Sequence, residues 1–272
     1  MSPSFEIVGI LNTTPDSYFD GGKYNVKDAA IKRAGEMLKE GADIIEVGGE
    51  STGPGSNDVS EGEELKRVIP IVEALKEAYP HARLSVDTYK SSVAKAAVHL
   101  GVEMINDVTA GRSDAEIFNV LAASEAKIVL MFAKDETPRT TIQVVEYDDI
   151  VGTIMEFLKE RKHIAINAGI AEDRIILDPG LGHFVSSIPK YSFQILAQLK
   201  RFTELKCSLF VSPSRKSFLA GSENLAVSDR LPGTIAASVL AVTNGARYIR
   251  THDVLEVRRG CETATAILAE IS

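Results

Sequence analysis

The chain has 272 residues, 44% of them hydrophobic and 25% charged, which is ordinary for a soluble globular protein and leaves ample length for a core. Its 30 basic against 38 acidic residues give a net charge of −8, so no general attraction to nucleic acid or anionic membrane is expected and basic residues matter only locally. The cysteines, Cys207 and Cys261, form no C-x-x-C pair and indicate neither a disulfide framework nor a zinc site. With no signal-like N-terminus and no apolar run of bilayer length, the expected location is the cytoplasm.

The first strand is predicted from Ile7 to Leu11, followed by a polar turn from Asn12 to Gly22 that is too long for mere connection. A helix from about Val26 carries Ile31, Ala34 and Leu38 on one face and stops at Gly41. Asp43 to Gly49 is the second strand and opens into Glu50-Ser51-Thr52-Gly53-Pro54-Gly55, after which Ser60 and Glu63 form a capping box for a helix burying Leu65, Val68, Ile69, Val72 and Leu75. Leu84-Ser85-Val86 then ends in Asp87, a helix reaches Gly101, and Met104-Ile105 ends in Asn106-Asp107.

Ile128 to Phe132 is a further strand, with a polar loop from Lys134 to Gln143 and a helix from about Asp148 to Asn167. Arg174 to Leu177 ends in Asp178-Pro179-Gly180, and a helix after Pro189 leads to the buried run Leu209-Phe210-Val211, which Ser212-Pro213 stops abruptly before Arg215 and Lys216. Leu231 to Asn244 is helical up to Gly245, and Arg247 to Ile249 ends in Arg250-Thr251-His252-Asp253 before a last helix. About eight strand and helix alternations at this length predict a TIM (β/α)8 barrel formed by residues 1–272 as one domain, in preference to a doubly wound sheet.

In a barrel, Asn12, Asp16, Glu50, Thr52, Asp87, Asn106, Asp178, Lys216, Arg250 and His252 gather at one rim. Asp and Asn at the ends of apolar strands suit a heterocycle with several N–H donors, and Lys216 suits a carboxylate or a ring carbonyl. Arg250 with His252 falls where barrels of this type hold phosphate. Other residues have plainer readings: Asn25 and Asp253 are as readily helix caps as ligands, Arg258 and Arg259 are expected in solvent, and His81, His99 and His163 on the surface. Glu46, in mid-strand, reads equally as a paired core charge and as a functional group. Gly49-Glu50-Ser51-Thr52-Gly53 matches a nucleophile elbow, but Pro54 and Gly55 separate the serine from any helix, which argues against an esterase.

Taken in order, Gly9-Ile10-Leu11-Asn12-Thr13-Thr14-Pro15-Asp16-Ser17, Gly48-Gly49-Glu50-Ser51-Thr52, Ser85-Val86-Asp87-Thr88, Ile105-Asn106-Asp107, Asp178-Pro179-Gly180, Ser214-Arg215-Lys216-Ser217 and Arg250-Thr251-His252-Asp253 resemble the dihydropteroate synthases over essentially the whole chain. The resemblance implies a pterin-binding barrel that joins 6-hydroxymethyl-7,8-dihydropterin diphosphate to p-aminobenzoate and releases diphosphate in folate biosynthesis. It implies that Asp87, Asn106, Asp178 and Lys216 hold the pterin, with Asp87, Asp178 and Lys216 catalytic, while Asn12, Thr52, Arg250 and His252 hold the diphosphate with Mg²⁺ on Asn12. Pro54, Phe184 and Ser217 would meet p-aminobenzoate or a sulfonamide, and a homodimer would form through the later helices.

Departures from the family pattern cluster. Gly53 stands where an arginine is usual, Glu46 where an aspartate is, and Met131-Phe132 where a Met-His pair is common. Leu181-Gly182-His183-Phe184-Val185-Ser186-Ser187 replaces the usual Gly-Phe-Gly-Lys and is similar to the mobile, sulfonamide-insensitive members, with Phe184 the excluding aromatic. A corrinoid-linked pterin-dependent methyltransferase and a non-catalytic pterin-binding homologue are the alternatives.

Overall fold

The computed structural model describes residues 5–13 and 26–270. Strands β1 (Glu6–Asn12), β2 (Ile44–Gly48), β3 (Arg83–Asp87), β4 (Met104–Asp107), β5 (Lys127–Met131), β6 (Ile175–Asp178), β7 (Ser208–Val211) and β8 (Ala246–Thr251) form a closed barrel in sequence order. Every pairing is parallel, and β8 closes on β1 through Glu6 opposite Tyr248. The helices between them are α1 (Val26–Glu40), α2 (Glu61–Ala78), α3 (Ser91–His99), α4 (Glu116–Ala122), α5 (Ile150–Asn167), α6 (Pro189–Ala197), α7 (Leu231–Thr243) and α8 (Val254–Ala269). The predicted TIM (β/α)8 barrel is therefore the observed fold.

Period-two alternation sorts each apolar strand into two cores. Ile7, Ile45, Leu84, Ile105, Ile128, Ile175, Leu209 and Ile249 face outward into one large cluster with the helices. Val8, Ile44, Met104, Val129, Ile176, Phe210 and Tyr248 form a separate buried layer inside the barrel. Two residues further along β2, β4, β6 and β8 the same inward face presents Glu46, Asn106, Asp178 and Arg250. The apolar layer is thus a floor, and the polar layer above it opens toward the carboxyl ends of the strands, where barrels of this kind hold ligands.

Local signals set the helix starts. Ser60 caps α2 by accepting from Glu63 N at 3.3 Å, and Asp149 caps α5 by accepting from Gly152 N at 2.9 Å, one residue later than the sequence start at Asp148. α4 is only seven residues long, too short to leave a periodic signature, and no helix was expected there. β8 runs on through Arg250 and Thr251, so Arg250 is held by a strand rather than a loop. The long turn after β1, with Asp16 and the Asn25 cap, lies outside the described residues.

Two plainer expectations need correction. Arg258 is not a solvated charge: its side chain is 13% exposed, pairs with Asp43 and donates from Nε to Gly41 O at 2.6 Å, clasping α8 to the turn after α1. Asp253 does not cap α8 with its side chain but accepts from Arg215 Nε at 2.9 Å. Arg259, His81, His99 and His163 are exposed, as expected.

Candidate active site

The polar layer is organised by one guanidinium. Arg250 donates from Nη2 to Asp87 Oδ2 at 2.8 Å and from Nε to Glu46, bridging β2 and β3 across the barrel from β8. Glu46 is fully buried and also accepts from Ser85 Oγ at 3.1 Å and from Asn106 Nδ2 at 3.3 and 3.4 Å. The even reading of Glu46 resolves into both halves at once: it is a paired core charge that touches two site residues.

A second group lies around β6 and β7. Asp178 is 3% exposed and accepts from Gly180 N at 2.8 Å. Gly180 has a φ of +69°, and a Cβ there would lie 2.4 Å from the Phe132 carbonyl, so only glycine lets this loop close against the end of β5. Lys216 donates to Leu181 O at 3.2 Å, and its Nζ lies 5.1 Å from the centre of the Phe184 ring, which packs on Val108, Met131 and Ala133. Of the two cations after β7 only Lys216 is available to the site, because Arg215 is engaged by Asp253.

Burial dominates the charge states. It raises the Asp178 carboxyl to about 6, against the pull of Lys216 and Arg250. It lowers the Lys216 ammonium to about 8, partly offset by Asp178 and Asp87. Asp87 is also raised, by burial and by the charge of Glu46, with Arg250 opposing. Groups so shifted that also converge on one cleft point to a working site. Asp107, at the end of β4, is raised by burial too, but spends its carboxylate on the Thr109 and Gly111 backbone N–H groups, a structural turn.

His252 stands at the rim with an exposed edge, its basicity lowered by desolvation and by Arg250. Its Nδ1 lies 2.9 Å from Ser214 Oγ, which already accepts from His252 N and from Thr251 Oγ1. That oxygen's own proton is then free for Nδ1, and this hydrogen-bond pattern assigns the ring proton to Nε2. Ser214 is a supporting residue to which the motif around Lys216 gave no separate role; a serine two residues before the cation of a strand-end turn was its only signal.

Asn12, Glu50, Ser51, Thr52, Gly53, Asp87, Arg250 and His252, with Ile10, line a cleft of about 400 Å³. A larger groove of about 710 Å³ outside the barrel, against α3 and α4, is mostly apolar, with Lys95, His99 and Glu116 among its lining residues. Glu50 is held by Lys90 and Arg139 and lies 3.3 Å from Tyr89 Oη, so it anchors its loop as well as edging the cleft. Pro54 is exposed on that loop, and Ser217 begins a short 3-10 turn after Lys216.

The loop of residues 132–149 is tied down rather than free. Lys134 N donates to Phe184 O at 2.8 Å, Thr140 Oγ1 to His183 O at 2.7 Å, and Thr140 N to Thr52 O at 3.1 Å, while Arg139 reaches Glu50 and Asp58. It straps the loops after β2 and β6 together, which its polar composition did not reveal.

The comparisons with known proteins agree with this geometry. The family described as "Pterin binding enzyme" matches residues 8–252. The dihydropteroate synthase of Clostridium beijerinckii is 40% identical over 263 residues, covering 96% of this chain and 94% of its own, and the type-3 dihydropteroate synthase of Escherichia coli is 38% identical, covering 96% and 99%. The structure of Xanthomonas albilineans dihydropteroate synthase with 4-aminobenzoic acid is 36% identical, covers 97% of this chain and 93% of its own, and superposes with a TM-score of 0.90. A barrel whose strand ends carry Asp87, Asn106, Asp178, Lys216, Arg250 and His252, matched along nearly its whole length by these relatives, belongs to the dihydropteroate synthase family of pterin-binding enzymes.

Proposed function

We propose that this chain, acting over residues 1–272 as one barrel domain, joins 6-hydroxymethyl-7,8-dihydropterin diphosphate to p-aminobenzoate and releases diphosphate. The observation that carries the reading is the array of Asp87, Asn106, Asp178 and Lys216, buried or half-buried around Arg250, with His252 lining the same cleft as Asp87 and Arg250. The carboxylates and the Asn106 amide receive the pterin N–H groups, and Lys216 donates to the ring carbonyl. Arg250 and the Nε2–H of His252 draw charge off the departing diphosphate, whose C–O bond breaks with the electron pair leaving on oxygen. The fixed carboxylates stabilise the methylene cation so formed, the arylamine nitrogen closes the new C–N bond, and its proton passes to water.

Magnesium fits this donor set: Asn12, whose amide side chain is exposed at the cleft, would hold it through a hard oxygen. The bound ion would supply Lewis-acid stabilisation of the leaving diphosphate. Thr52 edges the same cleft.

Diphosphate release from the dihydropterin diphosphate, dependent on p-aminobenzoate, tests the reading; wild-type protein that releases none overturns it. Its pH dependence follows from three groups. Asp87 and Asp178 must be ionised to accept N–H, and Lys216 must be protonated to donate. The profile of kcat/KM is therefore expected to fall as pH drops through about 7, where Asp87 takes up a proton, and further through about 6 with Asp178, and to fall again above about 8. A flat profile across both limbs would separate these groups from turnover.

The finer reading is that the enzyme is sulfonamide-insensitive. Phe184 supports it: its ring, held between Lys216 and the Met131 cluster, narrows the site that Ser217 and Pro54 are proposed to complete for p-aminobenzoate. Phe184→Gly is expected to strengthen inhibition by sulfamethoxazole about tenfold or more, a change typical of reshaping one apolar contact. Inhibition unchanged by the substitution would sink the idea. A homodimer through α7 and α8 is supported by Leu240 and Ile267, 53% and 60% exposed, and sedimentation at one chain's mass would exclude it. No described helix is long and apolar enough to cross a membrane. The cytoplasmic location proposed for the enzyme is tested by cell fractionation, and activity confined to the membrane fraction would exclude it.

A further inference from the structure

Glu46 does more than neutralise Arg250. It lies in the middle of β2, fully buried, and its two oxygens are spent on Ser85 Oγ, Asn106 Nδ2 and Arg250 Nε. A carboxylate offers lone pairs and no proton, so the only end of the Asn106 amide that can face it is the NH₂. The carbonyl end is thereby forced away. In keeping with this, Asn106 Oδ1 is buried and accepts no hydrogen bond among the described residues. A buried acceptor left unpaired costs free energy, and its presence inside the polar layer is explained when a ligand N–H completes it.

The same carboxylate fixes Arg250. With Nε taken by Glu46 and Nη2 by Asp87, the guanidinium plane is held by two edges and its remaining N–H groups have one direction left. We infer that Glu46 is a positioning residue that sets the hydrogen-bond polarity of the pterin site, turning Asn106 so that it accepts an N–H from the heterocycle and holding Arg250 in one orientation. The inference rests on the synthase reading above and deepens it: the ring bound here must present a donor, not an acceptor, to Asn106.

A single atom change inverts the arrangement. In Glu46→Gln the Gln oxygen is claimed by Arg250 Nε, which can only donate, and the Gln NH₂ takes the place of Oε2, the nearer of the two oxygens that Asn106 Nδ2 straddles at 3.3 and 3.4 Å. Asn106 turns over to accept from it and presents its own NH₂ to the ligand, donor against donor. The KM for the dihydropterin diphosphate is expected to rise about 10- to 100-fold, the effect of opposing one buried hydrogen bond, while the KM for p-aminobenzoate stays put. Glu46→Asp, which keeps a lone-pair-only group, is expected to restore most of the loss.

A double variant makes the test independent of a folding defect. Asn106→Asp alone sets two carboxylates face to face and is expected to bind the pterin poorly. In Glu46→Gln/Asn106→Asp one oxygen of the new carboxylate at position 106 accepts from the Gln NH₂ and the other faces the ligand as an acceptor again. The double variant is expected to bind the pterin substrate better than either single one. Additive losses in the double variant, or a Glu46→Gln enzyme with the wild-type KM, would overturn the inference. Failure of the wild-type enzyme to turn over would instead count against the synthase reading.

Discussion

Arg250→Met is expected to cost about 3–5 kcal/mol of folding stability at pH 8, the usual penalty for removing one partner of a buried ion pair. The reason is that the substitution strands two carboxylates at once: Glu46, which has no exposure at all, and Asp87, whose side chain is 15% exposed. Met fills much of the volume of the arginine stem, so the loss reports charge rather than a cavity. Asp87 is already raised in the folded protein, so its favourable contribution is complete below the ordinary carboxylate range and is lost as pH rises through its folded value. Without Arg250 that folded value moves higher still. Denaturation midpoints should therefore separate wild type and variant widely at pH 8 and less at pH 5. A difference that is small, or the same at both pH values, would show that Arg250 is not the counter-charge of the barrel interior. Activity should be lost along with it, since the cleft proposed to hold the diphosphate loses its guanidinium.

Lys216→Met is expected to lower kcat/KM on the order of 10²- to 10³-fold, the cost of removing one preorganised charged donor, with a smaller effect on stability. Lys216 carries a burial cost of its own, visible as an ammonium lowered to about 8, and removing it relieves that cost. Asp178 keeps its backbone donor from Gly180 and has the option of taking up a proton. Its carboxyl, already near 6, should then titrate higher, which carbon-13 NMR of the labelled side chain would read directly. An undiminished kcat/KM would remove Lys216 from the site, whatever happened to Asp178.

The barrel was legible because its signal is local. Each strand is a short apolar run closed by a polar residue, and Gly41, Gly101 and Gly245, with φ between +78° and +100°, end helices where the sequence placed them. The same endings exposed Asp87, Asn106, Asp178, Lys216 and Arg250, since an ionised or amide group beside a buried run needs a partner. Partners themselves were not legible. Arg250 and Glu46 lie 204 residues apart and only closure of β8 on β1 brings them together, while Arg215 and Asp253, 38 apart, meet beyond the paired strands β7 and β8. Glu46 could have been ranked higher on one ground, that a glutamate with Ile44, Ile45 and Val47 around it cannot stay buried alone. The tethered loop of residues 132–149 had no such cue, because its hydrogen bonds fall largely on the backbone of other loops and composition is silent about those.

That strap also makes the placement of Phe184 a shared property. The Phe184 carbonyl is fastened to Lys134, its neighbour His183 to Thr140, and Thr140 in turn to Thr52, so the backbone that carries the ring is held from two distant segments of chain. A change in the loop of residues 132–149 can therefore reach Phe184 without touching it.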